Sequence, residues 1–236
     1  RDRSVSRGLG DVYKRQMLTL LPIVGLVGSN NLSTAIIILG IGVILIFAAS
    51  PRYIQFAALG GAGIGFIAIF LAAESYRLER LAIWREPEKY EKGFQTIQGL
   101  YAIGSGGLFG RGIGNSIQKL GFVPEAQNDM IFSIICEEMG LTGAIILILI
   151  FALLLWRLCV ISMNCQELSG AMIAAGIMGH LAIQVILNIA VVTNTIPNTG
   201  ITLPFISYGG TSIVFLLGEM GLALNVSRQK NNPPTR

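Results

Sequence analysis

Asp129 ends the polar stretch Phe122-Val-Pro-Glu-Ala-Gln-Asn-Asp, directly before an apolar run that opens at Met130. A lone carboxylate at a membrane surface can act as a general base. Pro124 breaks any preceding helix, and Asn128 or Asp129 is equally well placed to cap the helix beginning at Met130. A helix N-terminus would lower the carboxyl pKa and partial burial would raise it; spacing does not choose between them. His180 is the chain's single histidine and lies inside another apolar run. Gln184 and Asn188 follow it at intervals of four on one helical face, which reads as a polar seam between helices. Glu219, inside the last apolar run, must be neutral or face a cavity or a partner. No Ser-His-Asp set, zinc-ligand spacing or geometrically obvious carboxylate pair emerges.

Two glycine-bearing segments complete the inventory. Ser207-Tyr-Gly209-Gly210-Thr-Ser opens the last helix; its free backbone N–H groups could hold a phosphate or form an ordinary cap and turn. Gly99 to Gly114 is glycine-rich with interspersed apolar residues. These glycines allow close backbone approach to a ligand, or they belong to a re-entrant segment packed on the membrane face. Neither GxGxxG nor GxxxxGK[ST] aligns, so a nucleotide site has little support.

The elements that position these residues follow from hydropathy. The chain has 236 residues, 53% hydrophobic and 13% charged, with a mean hydropathy of +0.66. Soluble domains carry about 25% charged residues, so disorder and an ordinary cytosolic enzyme are both disfavoured. The fold expected is all-α, a polytopic membrane bundle. Apolar runs over 33–49, 54–73, 130–156, 168–192 and 210–226, with a shorter one over 17–28, give five to six transmembrane helices. Gly61 and Gly65 form a GxxxG pair suited to close helix approach. The 74–129 segment is too long for a bare connection, and its first part, Glu74 to Lys92, reads as a charged amphipathic helix.

Arg52, Arg157, Arg228 and Lys230 mark one side as cytoplasmic, because loops 28–32 and 193–209 lack Lys and Arg. Both ends are then cytoplasmic, and 74–129 is a large extracytoplasmic loop. The net charge of +4 gathers at the termini without a basic aromatic stripe, which argues against nucleic acid. Residues 1–16 are basic, lack an initiator Met and resemble non-native read-through sequence. Cys136, Cys159 and Cys165 lack CxxC spacing and read as free thiols.

Several ordered stretches resemble the SEDS family of bacterial wall synthases (FtsW/RodA/SpoVE), most closely its FtsW/SpoVE branch. They are Asn31-Leu-Ser-Thr-Ala, Tyr76-Arg-Leu-Glu-Arg, Gln98 to Gly114, Lys119 to Gly140 and Leu203-Pro-Phe-Ile-Ser-Tyr-Gly-Gly-Thr. The resemblance implies a peptidoglycan glycosyltransferase in the bacterial cell membrane. It would polymerise lipid II for septal or spore wall, with undecaprenyl pyrophosphate leaving; the alternative is a lipid II flippase, and a third reading is a scaffold for a transpeptidase. It implies Asp129 as the catalytic base. Substrate would be bound by Arg77, Arg80, Arg111, Lys119, Glu125, Ser207, Gly209 and Gly210, with arginines suited to the pyrophosphate. A divalent cation such as Mg or Mn could assist, although no ligand cluster shows it. Implied partners are a cognate class B penicillin-binding transpeptidase and other divisome membrane proteins. Asn31 replaces an Asp of many members, and Asn198 a Lys of some. Members have about ten spans, so residues 17–236 are expected to be the C-terminal part of such a domain.

Overall fold

A backbone inside a bilayer has no water to bond, so its N–H and C=O groups must pair within helices. The computed structural model describes Leu20, residues 22–29 and 31–49, Gly61, Gly65 and residues 75–229, and among these there is no strand. The chain divides into two units, Arg1–Ala73 and Glu74–Arg236. In the first, residues 22–29 are helical and α1 covers Leu32–Ala49. Asn31 starts α1: its Oδ1 accepts the Thr34 N–H at 3.2 Å, which satisfies an otherwise orphaned donor. Val24, Ala35 and Leu39 pack together. The 1–16 extension and the expected 54–73 span lie outside the described residues, apart from Gly61 and Gly65, both helical.

The second unit contains α2 (Ser75–Arg85), α3 (Phe94–Gly106), α4 (Ile131–Asn164), α5 (Leu168–Val192) and α6 (Gly210–Gln229). The last three are long and apolar enough to cross a membrane. Within its span α5 is 44% buried, against 17% for α4 and α6, so α5 is the central helix. Its buried Gly170, Ala174, Ala175 and Gly179 suit that place, because small residues let helix backbones approach. Leu158 of α4, Ile177 and Leu181 of α5, and Leu216 and Ala223 of α6 form one core cluster. The three cysteines are free thiols.

Two elements differ from expectation. The charged helix expected through Lys92 stops at Arg85, and two 3-10 turns follow, Pro87–Lys89 and Glu91–Gly93. Pro87 has no N–H to continue the ladder and disfavours helical geometry at Glu86, found at φ −136°, ψ 67°. The expected 130–156 span runs on to Asn164 and is broken at Gly140, with φ 67° and ψ −166°.

That break is held by a distant segment. The Leu141 and Thr142 N–H groups donate to the Gly107 and Leu108 carbonyls, while Arg111 and Gly112 N–H donate to the Glu137 and Glu138 carbonyls, all at 2.9–3.1 Å. The α3 helix thus descends beside the first turns of α4, and its loop crosses the break. Glycine permits the approach. A Cβ at Gly106 would lie 1.9 Å from the Cys136 carbonyl oxygen, and one at Gly140 would lie 2.3 Å from the Gly110 nitrogen. These close approaches are between the loop and α4, a use of the glycines that neither sequence reading gave.

Candidate functional site

Asp129 sits at the end of a turn-rich segment preceding α4. It does not cap that helix: Met130 is the N-cap residue and no side chain bonds there. Three consecutive carbonyls are instead clamped from across the fold. The Tyr208 N–H donates to the Gln127 carbonyl at 2.8 Å. The Ser207 hydroxyl donates to the Asn128 carbonyl at 2.6 Å and accepts the Leu203 N–H at 2.7 Å. Asn188 Nδ2 donates to the Asp129 carbonyl at 2.8 Å and to the Ile201 carbonyl at 2.7 Å. With its backbone fixed, the Asp129 side chain has few positions left.

The expected polar seam therefore divides. Asn188, wholly buried, braces the Asp129 backbone, whereas His180 Nδ1 pairs with Glu219 Oε1 of α6 at 2.9 Å. Asn188→Leu keeps the volume but strands two buried carbonyls, at about 1–3 kcal/mol each. The apparent unfolding midpoint of the purified protein is expected to fall by about 4 °C or more, at about 2–4 °C per kcal/mol for a chain this size. An unchanged melting curve would show that the brace contributes nothing.

Asp129 is 9% exposed and lines a cavity of ≈ 310 Å³ together with Arg80, Lys92, Gln95, Asn198 and Thr199. The volume lies within the usual range for small-molecule sites, about 300–1,000 Å³. A chain of hydrogen bonds runs along its wall. Arg80 Nη1 donates to the Asn198 carbonyl at 3.3 Å, Asn198 Nδ2 to Gln95 Oε1 at 3.4 Å, and Gln95 Nε2 to Asp129 Oδ1 at 3.3 Å. Trp84 Nε1 ties α2 to the Asn194 carbonyl at 3.0 Å, and Lys92 Nζ pairs with Glu79 at 3.0 Å. Burial pushes the Asp129 carboxyl above the usual carboxylate range. The nearby Glu125 charge adds to this, while hydrogen bonds from the residue's own N–H and from Gln95 work against it. The carboxyl shares this concave site with two cations, Arg80 and Lys92.

The other expected site residues fall elsewhere. Lys119 and Glu125 line a second cavity of ≈ 580 Å³, with Leu120, Ala126 and Ile131. The Lys119 ammonium is engaged there, 2.7 Å from Glu138 Oε1 and 2.7 Å from the Gly114 carbonyl. Glu125 adopts a left-handed φ of 52°, and its carboxyl accepts the Asn128 side-chain amide. Arg111 Nη1 lies 3.6 Å from Glu137 Oε1. Ser207 is buried as a backbone brace, and Gly209 and Gly210 open α6. The Arg77 side chain lies outside the described residues. Among the described residues no group of three or more His, Cys, Asp and Glu side chains is placed to hold a metal ion.

Gln95 and Lys92 had no signal of their own as site residues, and Asn198 stood out only as a departure from the family pattern. Glu137 was visible only as a charge in an apolar run. It is 1% exposed, and it accepts the Ser116 hydroxyl and the Ile117 and Gln118 N–H groups.

The fold and the site define a polytopic helical membrane protein in which a backbone-clamped carboxyl and two cations line one cavity. The chain belongs to the cell cycle protein family that groups FtsW, RodA and SpoVE, whose family model matches residues 1–232. It is similar to the stage V sporulation protein E of Bacillus subtilis, 45% identical over 201 residues, covering 84% of this chain and 55% of that protein. It is likewise similar to the "Probable peptidoglycan glycosyltransferase FtsW" of Trichlorobacter lovleyi, 37% identical over 214 residues, covering 89% and 56%. The chain thus spans about half the length of these relatives. Among solved structures, a chain from work on "polymerization and crosslinking by a peptidoglycan synthase complex" aligns with a TM-score of 0.72 at 28% identity. That alignment covers 92% of this chain and 62% of the other.

Proposed function

We propose that this chain carries the catalytic loop of a peptidoglycan glycosyltransferase that polymerises lipid II at the outer face of the bacterial cell membrane. The observation that carries the reading is Asp129, backbone-clamped, facing a cavity it shares with Arg80 and Lys92. The Asp129 carboxylate takes the proton from the acceptor sugar hydroxyl. That oxygen bonds to the anomeric carbon of the lipid-linked donor chain as the bond from this carbon to the phosphate oxygen breaks. The electron pair leaves with undecaprenyl pyrophosphate, whose charge Arg80 and Lys92 meet. A divalent cation would arrive as the counter-ion of the pyrophosphate, because the described residues offer no group of three or more His, Cys, Asp and Glu side chains placed to hold it. A class B penicillin-binding transpeptidase is the partner that fits, with other divisome membrane proteins around it.

The flippase alternative needs polar groups in the spans free to line a path. Of the candidates His180, Gln184, Asn188 and Glu219, His180 is instead paired with Glu219 and the Asn188 amide with two backbone carbonyls, which leaves Gln184 for such a path and favours polymerisation. The test supplies labelled lipid II to the protein purified with its transpeptidase. Glycan ladders on a gel are the expected result. Movement of lipid II across vesicle membranes without any polymer would overturn the reading in favour of transport.

A further inference from the structure

The loop after α3 ends in an apolar tip: Leu108 is 63% exposed, Phe109 80% and Ile113 81%. The tip is not loose. Its hydrogen bonds to Glu137, Glu138, Leu141 and Thr142 fix it beside the break in α4. That attachment also sets its depth. The break leaves residues 141–164 as the continuous part of α4, about 36 Å at 1.5 Å per residue. A bilayer core of about 30 Å holds about 20 of them. Counting about 20 residues back from Asn164 reaches the region of Gly143 and Ala144. The membrane boundary then lies within one or two turns of Gly140, level with Leu108 to Ile113.

Directly below, α4 presents an exposed apolar surface that includes Leu141, Ile145, Ile146 and Leu149. The apolar tip is therefore continuous with the lipid-facing side of a membrane span.

We propose that Leu108, Phe109 and Ile113 insert into the bilayer interface on the Asp129 side of the membrane, so that the lipid surface itself is the partner of this tip. Insertion would join the loop bearing Arg111 and Lys119 to the membrane from which a lipid-linked substrate arrives. The tip takes the same seat in the bilayer whether the protein polymerises or transports.

The test uses the protein in phospholipid nanodiscs. The chain has two tryptophans, Trp84 and Trp156; Trp156→Phe removes the one within α4, and Phe109→Trp places an indole at the tip. Lipids brominated on the acyl chain near the headgroup are expected to quench most of the added fluorescence, while aqueous iodide leaves it largely intact. Quenching by iodide alone would show a tip in water and overturn the proposal. Resistance to both quenchers would show a tip covered by protein and overturn it equally. Ile113→Trp gives the same readout from the far side of the tip, so misfolding of one variant does not leave the question open.

Discussion

Asp129→Asn is expected to lower glycan-chain formation by about 10²–10⁴-fold, the usual contribution of a positioned general base. The substitution keeps the shape of the side chain. The new amide would still offer its Oδ1 to Gln95, and the clamp on the carbonyls of residues 127–129 uses main-chain atoms that the change does not touch. What it removes is the capacity to take a proton. Stability is expected to hold or rise. A carboxyl whose pKa is raised in the folded state binds its proton more tightly there than in the unfolded chain, so its contribution to stability declines as pH rises from the unfolded value through the folded one. At neutral pH the ionised Asp129 therefore costs stability, and a neutral amide avoids that cost. Loss of activity with an equal or higher melting midpoint would separate a chemical role from a structural one. The wild-type rate carries the matching signature. Because the base works only when deprotonated, activity is expected to fall on acidification at a pH above the ordinary Asp value of about 3.9. Normal chain growth by Asp129→Asn in the lipid II gel assay, or a wild-type rate flat down to about pH 4, would remove Asp129 from the mechanism.

How far the fold could be read from sequence depended on whether the cause was local. The α5 and α6 spans were legible because hydropathy is a property of contiguous residues, and both fall close to the runs 168–192 and 210–226. The break in α4 was not. Gly140 and Gly143 look alike in the sequence, and only the backbone of residues 107–112, hydrogen-bonded across the break, selects the first. The end of α2 was legible in principle, since Pro87 is a local stop signal that the charge pattern of 74–92 obscured.

The site divides in the same way. Asp129 was conspicuous from its place between a proline-bearing polar stretch and an apolar run. Its partners are remote: Gln95 is 34 residues away, Asn188 59, and Asn198 meets Gln95 across 103. No periodicity reports such pairings. Ser207 illustrates a second limit. A small polar residue just ahead of a helix suits an anion site and a brace equally well, and only the position of the Asn128 carbonyl shows that its hydroxyl proton is already placed. Lys119 and Arg111 are similar. Their charges suggested substrate, but charge does not reveal that Glu138 and Glu137 lie beside them.

The largest expected effect on stability lies away from the chemistry, at Glu137. Its two oxygens meet donors only: Oε1 accepts the Ile117 N–H at 3.2 Å with Arg111 nearby, and Oε2 accepts the Gln118 N–H at 3.2 Å and the Ser116 hydroxyl. This one side chain organises the backbone of residues 116–118, and through Ser116 Oγ it also reaches the Lys119 N–H. Glu137→Ala removes every acceptor at once and leaves donors in a site that is 1% exposed, at about 1–3 kcal/mol per stranded group. Total destabilisation of about 3–5 kcal/mol is expected from the Ser116, Ile117 and Gln118 donors alone, because the half-exposed Arg111 stays solvated and adds little; this is about 6–20 °C in the apparent midpoint at about 2–4 °C per kcal/mol. Glu137→Gln is expected to rescue little, because whichever oxygen becomes an NH₂ group then faces donors. That separates hydrogen-bond chemistry from packing, since Gln fills the same space. Limited trypsinolysis supplies a local readout. With the loop released, cleavage after Arg111 and Lys119 is expected to quicken well before the spans unfold. A Gln variant with the wild-type midpoint and unchanged trypsin resistance would show that residues 111–120 are held by the backbone ladder at the Gly140 break and not by the buried carboxyl.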